Sequence, residues 1–334
     1  MKPNKWADWT EEEFRRTMLQ QRSATPLSGA PEPEPLAELE AAEAASDALP
    51  SAVEWKGTGA VTPVKDQASC GSCWSFSATG AIEGALFVAS GKSVSVSEQM
   101  LVDCSWDFEH KYGKYGVSAA PTPETRRPRP RLYPLSTRVG ARDPPPPGPP
   151  PPQSQGCDGG FTYLALAYVK DVGILAEAEY PYLGQNAFCS ADKAGVGVGD
   201  RSAPGPSFAI QDYVQGKHFD ARGLRAALYS RGPVAVSIQA DLPSFRFYSE
   251  GVYDDTDCHG GFEYLDHAVL ATGYGAATAG GGASGTAPGA KRYFTVKNSW
   301  SPYWGDEGYI KIAEQGNICG VSSDWTYAVA APSA

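Results

Sequence analysis

The stretch Gln67-Ala68-Ser69-Cys70-Gly71-Ser72-Cys73-Trp74 is the most informative part of this chain. Residues 75–87, which follow it, are mostly small or apolar, and this pattern indicates a buried helix. Cys73 therefore stands at the entrance of a predicted helix, where partial positive charge and unpaired N–H groups favour a thiolate. This position predicts that Cys73 is a nucleophile. The alternative is that Cys70 and Cys73 form a redox or metal-binding C-x-x-C pair.

Composition narrows the class of protein. The 334 residues suffice for one large domain or two modest ones, and 28 basic against 38 acidic residues give a net charge of −10. Because binding to phosphates needs a basic surface, nucleic acid is not an expected partner. No apolar run approaches the ~20 residues needed to cross a bilayer, so no membrane association is expected.

The cysteine content favours an oxidising compartment. An odd count of seven fits three disulfides and one free thiol, although seven reduced cysteines in a cytosolic protein would also account for it. The N-terminus, MKPNKWADWTEEEFRR, is charged and has no signal-peptide core. These two observations conflict, and we expect that the true start of the protein differs from the first residue given.

The organisation of the chain changes along its length. Residues 1–20 predict a short helix with Thr10 as N-cap and Glu13 completing a capping box. Residues 24–48 are rich in Ala, Pro and Glu and indicate an exposed linker. Compact patterning begins near residue 49.

The compact part predicts an α+β fold. Helical patterns cover residues 74–88, 161–171 and 219–231, whereas short β-like runs bounded by Gly and Pro dominate from residue 233 onward. We expect two subdomains that face each other, one helical and one resembling a β-barrel. The cleft between them is the expected place for a site.

Two segments fall outside this pattern. Residues 276–290 are almost entirely Ala, Gly, Ser and Thr, which predicts a flexible surface loop. Residues 117–153 include RRPRPR and a proline run broken only by Gly148, which predicts polyproline II or disorder. Val117-Ser118 can be encoded by a consensus splice donor and Gln153 by an acceptor, so we hypothesise a retained intron. The alternative is a genuine Pro-rich insertion that binds SH3-like partners.

A nucleophilic cysteine needs a base and a group that orients the base. Among the four histidines, His267 stands before an apolar strand that would fix it at a cleft edge, and it is the best candidate. Asn298 could hold the imidazole, and Trp300 could shield their bond from water. The alternative for Asn298 and its flanking tryptophans is a turn packed in the core.

Three segments, QASCGSCW, LDHAVLATGYG and VKNSWSPYWGDEGY, resemble in order the active-site segments of papain-like cysteine peptidases. LVDC, GCDGG, YPYLG and GPVAVSI agree as well, and the resemblance is closest to the cathepsin L-like branch. It covers residues 49 to about 330 apart from the two unusual segments. It implies a papain-like fold and a peptidase that needs no cofactor or metal.

The resemblance also implies roles for individual residues. Cys73 resembles the nucleophile, His267 its ion-pair partner, Asn298 the group that orients His267, and Gln67 an oxyanion donor beside the Cys73 N–H. The other six cysteines would form the disulfides Cys70–Cys157, Cys104–Cys189 and Cys258–Cys319.

Five further residues resemble the substrate-binding part of the family's cleft. Gly159 and Gly160 resemble the edge that binds an extended substrate backbone. Phe161, Ala268 and Asp324 resemble the walls and floor of the pocket for P2, the second residue before the scissile bond. An acid at position 324 could let that pocket accept Arg or Lys as well as apolar residues.

The resemblance extends to the N-terminus. NKWADWTEEEF is similar to the last part of the family's inhibitory propeptide, so residues 1–48 are expected to be a truncated propeptide with its linker, and residues 49–334 the peptidase domain. Ser301 departs from the family, which usually has glycine there, and this departure bears on the local loop geometry.

The resemblance implies a monomeric endopeptidase of lysosomes, vacuoles or the extracellular space. It would act on peptides or proteins and bind cystatin-like inhibitors. The alternative is a catalytically impaired homologue that only binds peptides or partners, because the insertion or the shortened propeptide obstructs activity.

Overall fold

The computed structural model describes residues 4–19, 49–106, 154–190, 208–277 and 290–330. Its α-helices are α1 (Glu11–Met18), α2 (Cys73–Ser90), α3 (Glu98–Cys104), α4 (Thr162–Val172), α5 (Ala221–Ser230) and α6 (Pro243–Arg246). Its strands are β1 (Val53–Glu54), β2 (Asp212–Gln215), β3 (Val234–Ile238), β4 (Val252–Tyr253), β5 (His267–Ala277), β6 (Lys291–Lys297), β7 (Tyr309–Ala313) and β8 (Trp325–Val329).

The strands form one sheet in the order β2-β8-β3-β5-β6-β7-β4, and β1 also pairs with β5. Neighbouring strands are antiparallel except β4 and β7, which are parallel. The long central strand β5 is buried along almost its whole length, which explains its continuous apolar sequence. His267 is the first residue of this strand.

Helix α2 packs against the sheet. A Cβ added at Gly80 would stand 2.7 Å from the Leu270 side chain, and one at Gly84 would stand 2.6 Å from Pro233. The two glycines therefore permit a close approach of helix and sheet that a larger residue would prevent. The helix ends at Gly91, whose φ of 71° places it in the left-handed region typical of a C-cap.

Two hydrophobic cores underlie the two subdomains. One joins α2, α3 and α4 with two alanines of the sheet, and the other fills the sheet side around Phe245, Trp300 and Trp304. Trp6, Phe14 and Met18 of the N-terminal segment belong to this second core. The predicted α+β architecture with two subdomains is confirmed.

Three disulfides join distant parts of the chain: Cys70–Cys157, Cys104–Cys189 and Cys258–Cys319. These are the pairs that the family resemblance implies. Cys73 is the free cysteine among the described residues. The alternative of a Cys70/Cys73 redox or metal pair is wrong, because the sulfur of Cys70 is bonded to Cys157.

Several local predictions have a structural outcome. The capping box at α1 is present, with the Glu13 N–H donating to Thr10 Oγ1 and Glu13 Oε2 accepting from the Thr10 N–H. Helix α3 was not predicted, because its seven residues are too few for a clear period. Residues 20–48, 107–153 and 278–289 lie outside the described ranges, so the linker, the Pro-rich insertion and most of the predicted loop stay predictions. Among the residues that the structure describes, no helix is long and apolar enough to span a membrane.

Candidate active site

Cys73 is the first residue of α2 and is fully buried. Its sulfur accepts a hydrogen bond from the backbone N–H of Ala268, with 3.5 Å between N and Sγ. The N-terminus of α2 thus meets the start of β5, and the thiol lies beside the residue that follows His267. Both the helix terminus and this N–H stabilise negative charge on sulfur.

The imidazole of His267 is held from two sides. Its Nε2–H donates to Asn298 Oδ1 at 2.8 Å, and its ring stacks on Trp300 with 4.7 Å between centroids. Asn298 Oδ1 also accepts from the Ser299 N–H, which fixes the orientation of the amide. Since Nε2 is engaged by Asn298, Nδ1 is the nitrogen left for chemistry, and it is buried with no hydrogen-bond partner among the described residues.

Gln67 provides a polar side chain on the other side of the thiol. Its Nε2 donates to the backbone carbonyl of Cys70 and to that of Met18, each at 3.0 Å. Its Oε1 accepts from Ser299 Oγ at 2.6 Å. One N–H of the Gln67 amide therefore donates to the Met18 carbonyl of the N-terminal segment. An oxyanion donor would bond to the carbonyl oxygen of a substrate in the same way.

The N-terminal segment, residues 4–19, covers the cleft. Trp6 and Phe14 each pack edge-on against Trp300, with centroids 5.3 and 5.2 Å apart. The guanidinium of Arg246 donates twice to the Trp9 carbonyl at 3.1 Å. Met18 is fully buried.

Two ion pairs join the N-terminal segment to the rest of the chain. Lys5 pairs with Asp66 at 2.6 Å, and Arg15 pairs with Asp241 at 3.3 Å. Contacts of the N-terminal segment therefore combine apolar burial on Trp300, backbone hydrogen bonds and charge pairing.

Burial shifts the pKa values of both reactive groups of the site. Burial raises the pKa of the Cys73 thiol to about 12, although backbone N–H groups including that of Ala268 act in the opposite direction. Burial also lowers the pKa of His267 to about 4, against the effect of its bond to Asn298. Both shifts favour the neutral thiol and the neutral imidazole.

The five residues expected to bind substrate fall into two places. Gly159 and Gly160 precede α4, and a Cβ added at Gly160 would stand 2.5 Å from the Trp74 ring. Phe161 is half-buried at the N-cap of α4. Gly160 therefore has to be glycine if this edge is to lie against Trp74.

Ala268 and Asp324 come together across the sheet. Ser237 of β3 stands opposite Ala268 of β5, and its hydroxyl donates to Asp324 Oδ2 at 2.7 Å. Burial raises the pKa of Asp324, while its hydrogen bond from Ser237 and the charge of the nearby His218 act to lower it.

Sequence reasoning missed two residues that bond to Gln67 and so help to position it. Ser299 bonds to Gln67, and Tyr182 contacts the Gln67 carbonyl and the Ser72 hydroxyl. Ser299 adjoins Asn298, and Tyr182 stands in the YPYLG segment, but nothing in the sequence indicated that either one contacts Gln67.

A buried thiol at a helix N-terminus, next to an imidazole held by an amide, is the side-chain set of a cysteine hydrolase. The chain matches the papain family of cysteine proteases over residues 49–120 and 151–329. It belongs to this family and is a cysteine peptidase.

Curated relatives agree with this assignment. The chain is 38% identical over 332 residues to a cathepsin L-like peptidase of Aedes aegypti, covering 98% of this chain and 78% of the relative. It is 35% identical over 329 residues to human cathepsin L2, covering 98% and 77%.

Solved structures agree as well. Digestive procathepsin L 3 of Tenebrio molitor is similar with a TM-score of 0.65 and 29% identity, covering 98% of this chain and 81% of that one. A Carica candamarcensis cysteine protease in complex with E-64 is similar with a TM-score of 0.59 and 28% identity, covering 84% and 99%.

Proposed function

We propose that this chain is an endopeptidase that hydrolyses peptide bonds through Cys73, His267 and Asn298. The observation that carries the proposal is the bond from His267 Nε2–H to Asn298 Oδ1, at 2.8 Å, which leaves Nδ1 for the sulfur. Trp300 stacks on the imidazole and shields this bond from water. The cysteine-protease relatives and the position of Cys73 at the start of α2 support the same assignment.

The reaction follows from these positions. The Cys73 thiolate attacks the substrate carbonyl carbon, and the oxygen becomes an oxyanion that accepts from Gln67 Nε2–H and the Cys73 N–H. His267 gives its proton to the leaving amine, the C–N bond breaks and a thioester remains. Water then attacks the thioester, His267 takes a proton from it, and the acid leaves while the thiolate–imidazolium pair is restored.

The N-terminal segment keeps this site latent in the proposed mechanism. The Met18 carbonyl takes the hydrogen bond from Gln67 that an oxyanion would use. Burial of Cys73 and His267 favours the neutral thiol and imidazole over their ion pair, so entry of water and substrate into the cleft favours the nucleophilic thiolate. Removing residues 4–19 from the cleft therefore activates the enzyme.

Substrates and surroundings follow from the family. The enzyme acts on peptides or proteins as a monomer, and cystatin-like proteins inhibit it. Gly159, Gly160 and Phe161 bind the extended substrate beside Cys73. Three disulfides support a lysosomal, vacuolar or extracellular location over a reducing one.

Labelling with the epoxide E-64 tests the proposal. A site-specific protease sequence inserted within residues 24–48 allows the folded full chain to be cut there. We expect the cut chain to hydrolyse a fluorogenic peptide and to gain one E-64 on Cys73, found by peptide mass mapping. The uncut chain should react far more slowly.

Two controls sharpen this experiment. Cys73→Ala should neither label nor cleave, and Asn298→Ala should lower both rates because the imidazole loses its holder. A cut wild-type chain that does not react at Cys73 would contradict the endopeptidase and favour the impaired, peptide-binding homologue.

A further inference from the structure

The hydroxyl of Tyr182 lies behind the oxyanion donor. It donates to the backbone carbonyl of Gln67 at 2.8 Å and lies 2.7 Å from Ser72 Oγ. Because the Tyr182 proton is used on Gln67, the Ser72 hydroxyl is the donor in the second bond. Burial raises the pKa of Tyr182, which keeps the phenol protonated and able to donate.

The side chain of Ser72 has unusual hydrogen bonding for a serine at the N-terminus of a helix. It is the N-cap of α2, where a serine side chain ordinarily accepts from an N–H of the first turn, yet it makes no such bond. Ser97, the N-cap of α3, does make one, to the Met100 N–H. The hydroxyl of Ser72 is instead used on Tyr182, and this bond lies next to Cys73.

Gln67 is held from three sides once this bond is counted. Its N–H donates to the Ser299 carbonyl at 2.8 Å, its Oε1 accepts from Ser299 Oγ, and its carbonyl accepts from Tyr182. Tyr182 itself is fixed by Phe76 of α2, whose ring packs edge-on at 4.9 Å between centroids. Gln67 Nε2 also donates to the Cys70 carbonyl, and its bond to the Met18 carbonyl is the one that a ligand in the cleft would replace.

We propose that Tyr182 is a positioning residue for the oxyanion donor: its hydroxyl joins Ser72 to Gln67 and thereby fixes Gln67 Nε2 relative to the sulfur of Cys73. This inference rests on the proposed endopeptidase. A donor aimed in advance at the developing oxyanion stabilises the transition state more than the bound substrate. Loss of the Tyr182 hydroxyl therefore lowers kcat and leaves KM unchanged.

Tyr182→Phe is the test, because it removes one oxygen and keeps the ring against Phe76. Tyr180→Phe is the matched control from the same segment, since the Tyr180 hydroxyl bonds to Asp103 and Ser190 and to no residue of the site. Losing a whole oxyanion donor costs about 10²- to 10³-fold in kcat, so a donor that is only loosened should cost about tenfold. Tyr180→Phe should keep the wild-type kcat.

Two further measurements on the cut chain separate positioning from a general loss of structure. Alkylation of Cys73 by iodoacetamide displaces iodide and forms no tetrahedral oxyanion, so its rate should stay within about twofold of wild type in Tyr182→Phe. In a Gln67→Ala background, Tyr182→Phe should cause no further fall in kcat, because the group through which it acts is absent.

Each contrary result has a definite meaning. An unchanged kcat in Tyr182→Phe, an equal fall in both backgrounds, a parallel fall in the iodoacetamide alkylation rate or an equal fall in Tyr180→Phe overturns the inference. A wild-type chain that neither labels nor cleaves overturns the proposed function, and this inference with it. A wild type that does both while Tyr182→Phe behaves identically overturns only the positioning role.

Discussion

Asp324 is the residue that we propose sets the choice of substrate. Its carboxylate accepts from Ser237, which stands opposite Ala268 at the start of β5, close to Cys73. Because burial raises its pKa, the carboxyl is neutral in acid and ionises only as the pH rises through that raised value. We propose that the P2 pocket accepts apolar residues at low pH and Arg as well at higher pH.

A pair of fluorogenic peptides that differ only in P2, Arg or Leu, measures this. Asp324→Ala should lower kcat/KM for the P2-Arg peptide by about 10- to 100-fold, the value of a charge-assisted hydrogen bond, and leave P2-Leu unchanged. In the wild type the Arg/Leu ratio should increase with pH. Equal losses for both peptides, or a ratio that does not change with pH, would contradict the proposed role of Asp324 in the P2 pocket.

Ser301 is a second residue whose identity matters. Its φ of 75° lies in the left-handed region, where a side chain is disfavoured and glycine is common. The serine that stands in place of the family's usual glycine therefore has a backbone conformation that is strained for a residue with a side chain. The Ser301 hydroxyl accepts from the Tyr303 N–H at 3.3 Å, which offsets part of that strain.

At the residue scale, the sequence predicted the residues of the proposed reaction but not the contacts that hold them in place. Cys73, His267 and Asn298 stand in short segments whose residue types predict this reaction. The contact of Gln67 with Met18 joins residues far apart in sequence, so no local pattern reports it. The bond of Tyr182 to Gln67 is hidden for the same reason.

Helices and strands were predictable from the sequence where their apolar pattern extends over many residues. Helix α2 and strand β5 have extended apolar patterns, and both are present at the expected places. The order of strands in the sheet was not predictable, because it depends on pairings between strands that are distant along the chain. The parallel pairing of β4 with β7 is the clearest case, since two-residue β4 carries no signal of its own.

Helices α2 and α3 are joined by a buried charge cluster next to the sheet. Lys65 pairs with Glu98 of α3 at 2.6 Å and with Glu83 of α2 at 3.4 Å, and Thr79 donates to Glu98 at 2.7 Å. Burial acts to lower the pKa of Lys65, but the two carboxylates outweigh it and the pKa is raised. Burial raises the pKa of both glutamates.

Glu98→Ala tests whether this cluster holds the two helices together. Breaking a buried pair typically costs about 3 to 5 kcal/mol, and we expect about 2 to 3 here because Glu83 remains beside Lys65. Urea unfolding of the uncut Cys73→Ala chain measures the free energy. Lys170→Ala, which breaks the exposed pair with Asp212, should change it by less than about 1 kcal/mol.

The pH dependence of this cluster has a definite sign. A raised glutamate pKa gives stability that is fully present below the ordinary value of 4.5 and is lost as the pH rises through the raised value. The loss caused by Glu98→Ala should therefore be larger in acid than at neutral pH. An equal loss for Glu98→Ala and Lys170→Ala would mean that the cluster contributes no more than a surface pair.

At the scale of the molecule, the two segments that flank residues 107–153 lie next to each other. Trp106 and Ser154 form a parallel β-bridge, and the neighbouring disulfides Cys104–Cys189 and Cys70–Cys157 fix both sides. The papain-family match also leaves out residues 121–150. We therefore expect that folding of the described part does not require the full length of chain between Trp106 and Ser154.

Replacing residues 117–153 by a direct join of Gly116 to Ser154 should leave folding and activity intact. After cutting within residues 24–48, the shortened chain should match the full chain in kcat/KM and in E-64 labelling, or exceed it. A joined chain that fails to fold would show that the insertion is part of the working protein. Sequencing the transcript across this region tests the retained intron directly, and unspliced message alone would contradict it.

The Cys70–Cys157 disulfide has a consequence for how the molecule is made. Its two cysteines are 87 residues apart, whereas the nearest thiol to Cys70 along the chain is Cys73. During synthesis Cys70 and Cys73 are both exposed before Cys157 emerges, and closing the short ring between them is entropically favoured over the long one. Cys73, the proposed nucleophile, therefore competes with Cys157 for Cys70. Any Cys70–Cys73 bond that forms during synthesis has to be replaced by the native one through thiol–disulfide exchange before Cys73 can act.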